Sequence, residues 1–264
     1  MTMRSELHRR RLLTRIAAGV AAGVGVLAVG ACDRLSYDER ARKVLDFAER
    51  LTLRAQRLLL GSGGLAPEYT EADISPFFKP NGTSNPDDQD YQAHVRNNFT
   101  DWKLDVGGLV ERPASLSLED LRRLPSRTQI TRHDCVEGWS CIGKWTGARL
   151  APLLHEAGLK PRARFIVFHC ADTLEQTPTG GAKYYESIDL ADAFHPQTIH
   201  AYEMDGAVLP VAHGAPLRLR LERQLGYKMA KYVMRIEAVE SFADIDGGRG
   251  GYWEDRGYEW YAGI

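Results

Sequence analysis

Cysteine is scarce in this chain, with four among 264 residues. None follows a Cys-x-x-Cys or paired Cys/His spacing, so the usual layouts of a structural zinc site are excluded. A Cys-x-x-Cys-His stretch is missing too, and no covalently attached haem is expected. Excess charge of either sign is lacking: the net charge is −1 at pH 7, and without a basic footprint nucleic acid is excluded as a partner. No internal repeat is visible. No uncharged run reaches the ~20 residues of a membrane-spanning helix. What remains is ordinary for a soluble globular protein, with 44% hydrophobic and 26% charged residues. The length allows one large domain or two small ones.

The one lopsided region is the start. Arg4, Arg9, Arg10, Arg11 and Arg15 precede an uncharged, Gly- and Ala-rich stretch from Ile16 to Ala31. A basic segment before a short apolar one predicts an export signal peptide over 1–31. Arg9-Arg10-Arg11-Leu12-Leu13 resembles a twin-arginine motif, whose route carries folded, often cofactor-loaded proteins. Val29-Gly30-Ala31-Cys32 resembles a bacterial lipobox, and Asp33 resembles a signal for retention at the inner membrane. The expected location is the periplasmic side of the inner membrane, anchored through Cys32 or soluble in the periplasm. A lipidated Cys32 leaves Cys135, Cys141 and Cys170. Three cannot all pair, so one thiol is free or bound to something, which is unusual in an oxidising compartment.

Periodicity organises the rest. Val44, Phe47, Ala48, Leu51, Ala55, Leu58 and Leu59 recur at helical steps, predicting a helix from Asp38 to Leu60. It serves as a membrane-side stalk or packs on its own domain. Gly61 to Pro86 reads as irregular chain. Trp102–Val106, Gln129–His133, Arg164–Cys170, Ile199–Met204, Pro216–Leu221 and Tyr232–Phe242 read as strands. Short helices are expected after Ser117, over Ala148–Ala157 and over Ile188–Phe194. Short strands and helices without βαβ regularity predict an α+β fold. The divisions are 1–31 signal, 32–76 tether helix and linker, 77–245 main domain and 246–264 tail.

Chemistry concentrates in three places. Cys135 follows Arg132 and His133, which favour a thiolate, the form that binds metal. One thiolate alone is a poor cage for an ion but a good single ligand for a metal held by a cofactor. The alternatives are a Cys135–Cys141 disulfide or a buried apolar thiol. His213-Gly214-Ala215-Pro216-Leu217-Arg218, with Gly226-Tyr227-Lys228-Met229-Ala230-Lys231, combines close-approach glycines with phosphate-seeking cations. Asn97-Asn98-Phe99 adds amides beside an aromatic.

In this order, Arg96–Phe99, Leu109–Pro113, Cys135-Val136-Glu137-Gly138-Trp139-Ser140, His213–Arg218 and Gly226–Lys228 resemble the molybdopterin-binding domain of the sulfite oxidase family. The likeness runs from Phe77 to Phe242 and is greatest to its bacterial protein-methionine-sulfoxide reductase branch. It implies a molybdenum–molybdopterin cofactor with Cys135 as the metal's protein ligand. It implies cofactor contacts at Asn97, Thr100, Asp101, Cys170, His213, Arg218, Met229, Ala230 and Lys231. Four of these depart from the family pattern: Thr100-Asp101 stand for Tyr-Glu, Cys170 for Thr and His213 for Asn. The activity implied is oxygen-atom transfer, reducing S-oxides or N-oxides, with a methionine-sulfoxide-like substrate and a membrane b-type cytochrome as electron partner. A sulfite dehydrogenase is the alternative, although the residues after Cys135 offer Glu137 and Trp139 instead of that branch's arginine pair. A cofactor-free binding lipoprotein with a Cys135–Cys141 disulfide is the reading from another class.

Overall fold

Asp38 opens the first helix. Its carboxylate accepts hydrogen bonds from the N–H groups of Arg40 and Ala41 at 2.9 and 3.0 Å, satisfying donors that a helix start leaves orphaned. Helix α1 spans Glu39–Leu60, as its periodicity predicts, and stops at Gly61 with φ +65°. The structure is a computed structural model describing residues 38–61, 63–177 and 180–264. The expected signal peptide and Cys32 lie outside the described residues. The chain divides into two compact units, Met1–Ala55 and Gln56–Ile264. Among the described residues no helix is long and apolar enough to cross a membrane.

The second unit is α+β. Helix α2 is Gln89–Arg96, followed by β1 (Lys103–Gly108), β2 (Ala114–Ser117), α3 (Leu118–Arg123), β3 (Ser126–Cys135) and β4 (Trp139–Arg149). Then come α4 (Leu150–Ala157), β5 (Phe165–Thr177), β6 (Gly180–Asp189), α5 (Leu190–Ala193), β7 (Ile199–Met204), β8 (Ala207–Val208), β9 (Arg218–Arg220) and β10 (Val233–Val239). One sheet has the order β2-β1-β10-β5-β6, with β1 and β10 parallel and the other pairs antiparallel. The other runs β3-β4-β7-β8, and β9 pairs with β7. The larger core takes side chains from both sheets: Leu104, Ile166, Phe168 and Ile236 from the first, with Trp102 beside them, and Ala148, Tyr202 and Leu219 from the second. A smaller core holds Trp145, Ile199 and Ala201. Such side chains stabilise the fold by about 1.5–3 kcal/mol each.

Several boundaries differ from expectation. The strand expected over Gln129–His133 is twice as long, because β3 pairs with β4 over its whole length from Ser126 to Cys135. β4 and β6 escaped prediction, since their Gly and polar residues hide the strand signal. The helix expected from Ile188 shrinks to α5, where the Asp189 side chain caps the Asp192 N–H at 3.0 Å. Ala148 and Arg149 stay in β4, so α4 begins at Leu150.

Residues 246–264 pack against the sheet as an ordered segment. Tyr252 N–H donates to the Tyr185 carbonyl at 3.0 Å, and Gly251 bridges to Glu186. Below them, buried Lys228 binds both Glu254, at 2.5 Å, and Glu186. Burial, with Glu254 adding to it, pushes the Glu186 carboxyl well above its usual range. Replacing Lys228 with Met is expected to cost about 3–5 kcal/mol, because two buried carboxylates lose their only cation. Urea unfolding measures it. The deficit is expected to shrink as pH falls, since the folded state then takes up protons on those carboxyls. An unchanged midpoint excludes the ion cluster as an anchor.

His200 on β7 is fully buried, and neither ring nitrogen has a protein partner. Burial lowers its pKa from 6.5 to about 4. Between those values the unfolded chain binds the proton and the folded one does not, so stability is lost as pH falls from 6.5 toward about 4. His200→Leu is expected to flatten that part of a stability–pH curve recorded by urea unfolding. A curve parallel to wild type contradicts it.

Candidate active site

Alternation along β3 decides what Cys135 faces. Thr131, His133 and Cys135 point inward, while Arg132 lies exposed and pairs with Asp134 at 2.9 Å. Neither residue expected to favour a Cys135 thiolate does so. Arg132 is on the other face, and His133 is held neutral by burial and by Arg218 and Arg220. Burial pushes the Cys135 thiol up. The hairpin register sets Cys135 opposite Trp139 and His133 opposite Cys141. Two cysteines placed diagonally on a ladder sit roughly 7–8 Å apart, too far for a disulfide. Cys135, Cys141 and Cys170 are all free thiols, which removes the Cys135–Cys141 bridge and the cofactor-free reading that rested on it.

Cys135 opens on a cavity of about 190 Å³. Asn81, Thr83, Glu137, Asp172 and Lys231 are among the polar groups of the lining, and Leu174, Tyr184 and Met229 contribute apolar surface. Trp253 and Tyr258 close it from the C-terminal segment. Two glycines make the approach possible. A Cβ on Gly226 would lie 2.3 Å from the His133 ring, and one on Gly214, at φ +113°, 2.9 Å from the Lys231 side chain.

Charge is distributed unevenly beside this cavity. Arg218 and Arg220 share β9, and both guanidinium groups lie over the Trp145 ring, at 5.2 and 4.3 Å. Arg220 is neutralised by a two-pronged pair with Glu222, at 2.9 and 2.7 Å. Arg218, fully buried, instead donates to the His213 carbonyl and to Asn81 Oδ1, both at 3.1 Å, and its Nε has no partner. Lys231 donates to the carbonyls of Asn81, at 2.6 Å, and Thr83. All these partners are neutral oxygens. Burial, helped by neighbouring cations, lowers Arg218 to about 9 and Lys231 to about 7. Buried cations without counter-charge are costly, and an anion relieves that cost.

Residues Ser75–Ser84, read from sequence as irregular chain, strap this corner. Ser75 exchanges hydrogen bonds with Ile142 at 3.0 and 2.9 Å. Phe78 packs against His133, Trp145 and His213 with ring centroids 5.3–5.6 Å apart. Lys79 pairs with Glu137 at 3.3 Å, and Glu137 accepts the Trp139 indole N–H at 2.9 Å.

Of the residues marked in the sequence, Cys135, Met229 and Lys231 line the cavity. Arg218 and His213 stand behind Asn81, joined through the hydrogen bonds above. The His213 ring has a buried Nδ1 without a partner and is lowered to about 4 by burial. Asn97 caps α2, with its Oδ1 buried and unpartnered. Thr100 and Asp101 are exposed and outside the cavity lining, and Asp101 pairs with His94 at 2.7 Å. Cys170 is buried in the core on β5, opposite Val233, and Ala230 is buried with its carbonyl bonded to Leu219 N–H. Sequence reading missed Asn81, Asp172, Leu174, Tyr184, Trp253 and Tyr258. Asp172 and Leu174 were within reach, since they follow Cys170 at two-residue steps on one strand. No local signal marks the others.

The residues present fit a molybdopterin. Arg218, hydrogen-bonded only to neutral oxygens, and Lys231, whose hydrogen bonds go to carbonyls while Asp172 acts on it through space, supply buried cations for its phosphate, and Asn97, His213 and Arg218 each carry a buried polar atom without a protein partner. Cys135 supplies a soft sulfur at the cavity wall. When bound, the group supplies two-electron oxygen-atom transfer, while the protein positions it and shapes the pocket. Comparison with known proteins agrees. Residues 91–244 match the sequence profile described as the oxidoreductase molybdopterin binding domain. A putative protein-methionine-sulfoxide reductase subunit, YedZ1 of Azospira oryzae, is 37% identical, covering 87% of this chain and 79% of that protein. The protein-methionine-sulfoxide reductase catalytic subunit MsrP of Campylobacter jejuni is 33% identical over 53% of this chain, and that of Xanthomonas axonopodis 34% over 54%. The chain spans about half the length of those two relatives, 50% and 46%. Among solved structures, the sulfane dehydrogenase SoxCD of Paracoccus pantotrophus aligns with a TM-score of 0.47 and 25% identity, covering 54% of this chain and 39% of that one. The chain is a molybdopterin-dependent oxidoreductase and belongs to the oxidoreductase molybdopterin-binding family.

Proposed function

We propose that this enzyme reduces S-oxides, methionine sulfoxide among them, on the periplasmic side of the bacterial inner membrane. The balance is one sulfoxide, two electrons and two protons giving one thioether and water. A membrane b-type cytochrome is the electron donor in this reading. The chain is exported by a signal peptide over 1–31, tethered through Cys32 and residues 32–76, and catalytic over 77–245. Cofactor contacts are assigned to Asn97, Cys170, His213, Arg218 and Met229–Lys231, with Cys135 on the metal; exposed Thr100 and Asp101 are left out of that set.

The observation carrying the reading is the character of the cavity around Cys135. Sulfite is a small anion and binds where fixed cations converge. Beside Cys135 the lining instead offers Val136, Glu137, Asp172 and Leu174, with aromatic rings beyond. Arg132 points away and is paired. The two buried cations are assigned to the cofactor phosphate, which leaves the substrate end largely apolar, with Glu137 already paired to Lys79. That suits a neutral sulfoxide and offers sulfite no converging cations. Relatives named for protein-methionine-sulfoxide reduction support the same substrate class.

The test is an assay of cofactor-loaded enzyme in both directions with artificial electron carriers. Reduction of methionine sulfoxide is expected, with kcat/KM at least about tenfold above that for sulfite oxidation. Efficient sulfite oxidation without sulfoxide reduction overturns the reading in favour of a sulfite dehydrogenase.

A further inference from the structure

The C-terminal segment lies beyond the residues that match the family profile, which end at 244. It nevertheless contributes two of the rings around the cavity. Several contacts make it a fixed wall. Ser187 Oγ donates to the Gly250 carbonyl at 2.5 Å, and Tyr227 hydroxyl donates to the Glu259 carbonyl at 2.6 Å. Leu225 N–H reaches the Ala262 carbonyl at 2.9 Å. Glu254 is held on Lys228, the residue before Met229, at 2.5 Å. One buried cation therefore ties this segment to the stretch Met229–Lys231 that carries the expected cofactor contacts.

On that wall the rings are mutually braced. Trp253 and Tyr258 are tilted by 30° with centroids 5.3 Å apart, and Tyr258 meets Tyr227 edge-on at 5.2 Å. Tyr252 packs edge-on behind Trp253 at 5.2 Å, with the Arg256 guanidinium 3.6 Å from the Tyr252 ring centroid. Half-buried Trp253 and exposed Tyr258 present faces to the cavity together with Leu174 and Val136. The lining thus divides by chemistry. Lys231 and Asn81 form a polar end suited to an anionic cofactor, and the Trp253–Tyr258 pair heads an apolar end whose lining holds no cation.

We propose that Trp253 and Tyr258 form a specificity wall that binds the apolar substituent of a thioether S-oxide. The inference rests on the S-oxide reading and adds to it the residues that select the substrate. A sulfoxide carries a polar oxygen and apolar carbon on the same sulfur. Sulfur and its neighbouring carbons pack favourably on aromatic rings, and each ring lost is worth roughly two- to tenfold in binding. A small substrate such as dimethyl sulfoxide has little to place there. A bulky apolar one such as methyl phenyl sulfoxide gains the contact.

The experiment uses the full, cofactor-loaded chain and the variants Trp253→Ala, Tyr258→Ala, the double variant and Trp253→Phe. Molybdenum and pterin content are measured first. Then kcat/KM is measured for methyl phenyl sulfoxide and dimethyl sulfoxide, and quenching of tryptophan fluorescence by methyl phenyl sulfoxide is recorded. The ratio of the two kcat/KM values is expected to fall about tenfold in the alanine variants, further in the double variant, and to recover with Phe. Cofactor content is expected to match wild type, and quenching to be lost with Trp253→Ala. An unchanged ratio with intact cofactor overturns the wall alone. Loss of molybdenum and pterin assigns the rings to cofactor retention and overturns it as well. A wild-type enzyme that reduces neither sulfoxide brings down the S-oxide reading and this inference with it.

Discussion

Cys135→Ser protein is expected to lose sulfoxide reduction by on the order of a thousandfold, about 4 kcal/mol in the barrier. The side chain stands at the cavity wall, and no other described cysteine lines it. Serine preserves size and removes the soft sulfur that suits such a metal centre. Fold and cofactor retention are expected to survive, because Arg218 and Lys231 remain. Elemental analysis of wild type and variant, made in a cofactor-competent host, is expected to find about one molybdenum per chain. The sulfur-to-metal absorption of the wild type is expected to change. Zinc, or no metal, in the wild-type protein contradicts the assignment of Cys135.

Arg218→Met is expected to produce two effects of opposite sign. The cofactor-free protein becomes more stable by about 1–4 kcal/mol, because a buried charge is replaced by an apolar side chain of similar length. Cofactor content falls at least about tenfold, because the phosphate loses a charge-assisted partner. The contrast with its strand neighbour motivates this. Arg220 has Glu222, whereas Arg218 has only a carbonyl and an amide oxygen. If Arg218 served the fold, stability and cofactor content would fall together. Pterin analysis and urea unfolding of the cofactor-free protein separate the two outcomes.

The sequence alone determined more of the chemistry than of the architecture. Helix α1 was legible because its apolar residues recur at helical steps. Strands β1, β5, β7 and β10 were legible because apolar residues fill or alternate along them. Cys135 and the Gly-flanked stretches ending in Arg218 and Lys231 were legible because thiolate, close-approach glycine and phosphate-seeking cation are local requirements. Their order along the chain is what carried the family resemblance.

Only the tertiary structure decided which of these groups meet. β4 and β6 owe their strand conformation to partners across the sheet, which no local window contains. The pairing of Arg220 with Glu222, and not of Arg218, depends on where side chains point from a three-residue strand. Thr100 and Asp101 follow Asn97 closely in sequence, yet the positive φ values at Asn98 and Phe99 turn them out to solvent. Asn81 reaches Arg218 from 137 residues away. Trp253 and Tyr258 enter the cavity through a segment that composition alone reads as a tail. A pocket is assembled from distant segments, and its walls follow from sheet register and buried charge pairing, which a chain expresses only once it is folded.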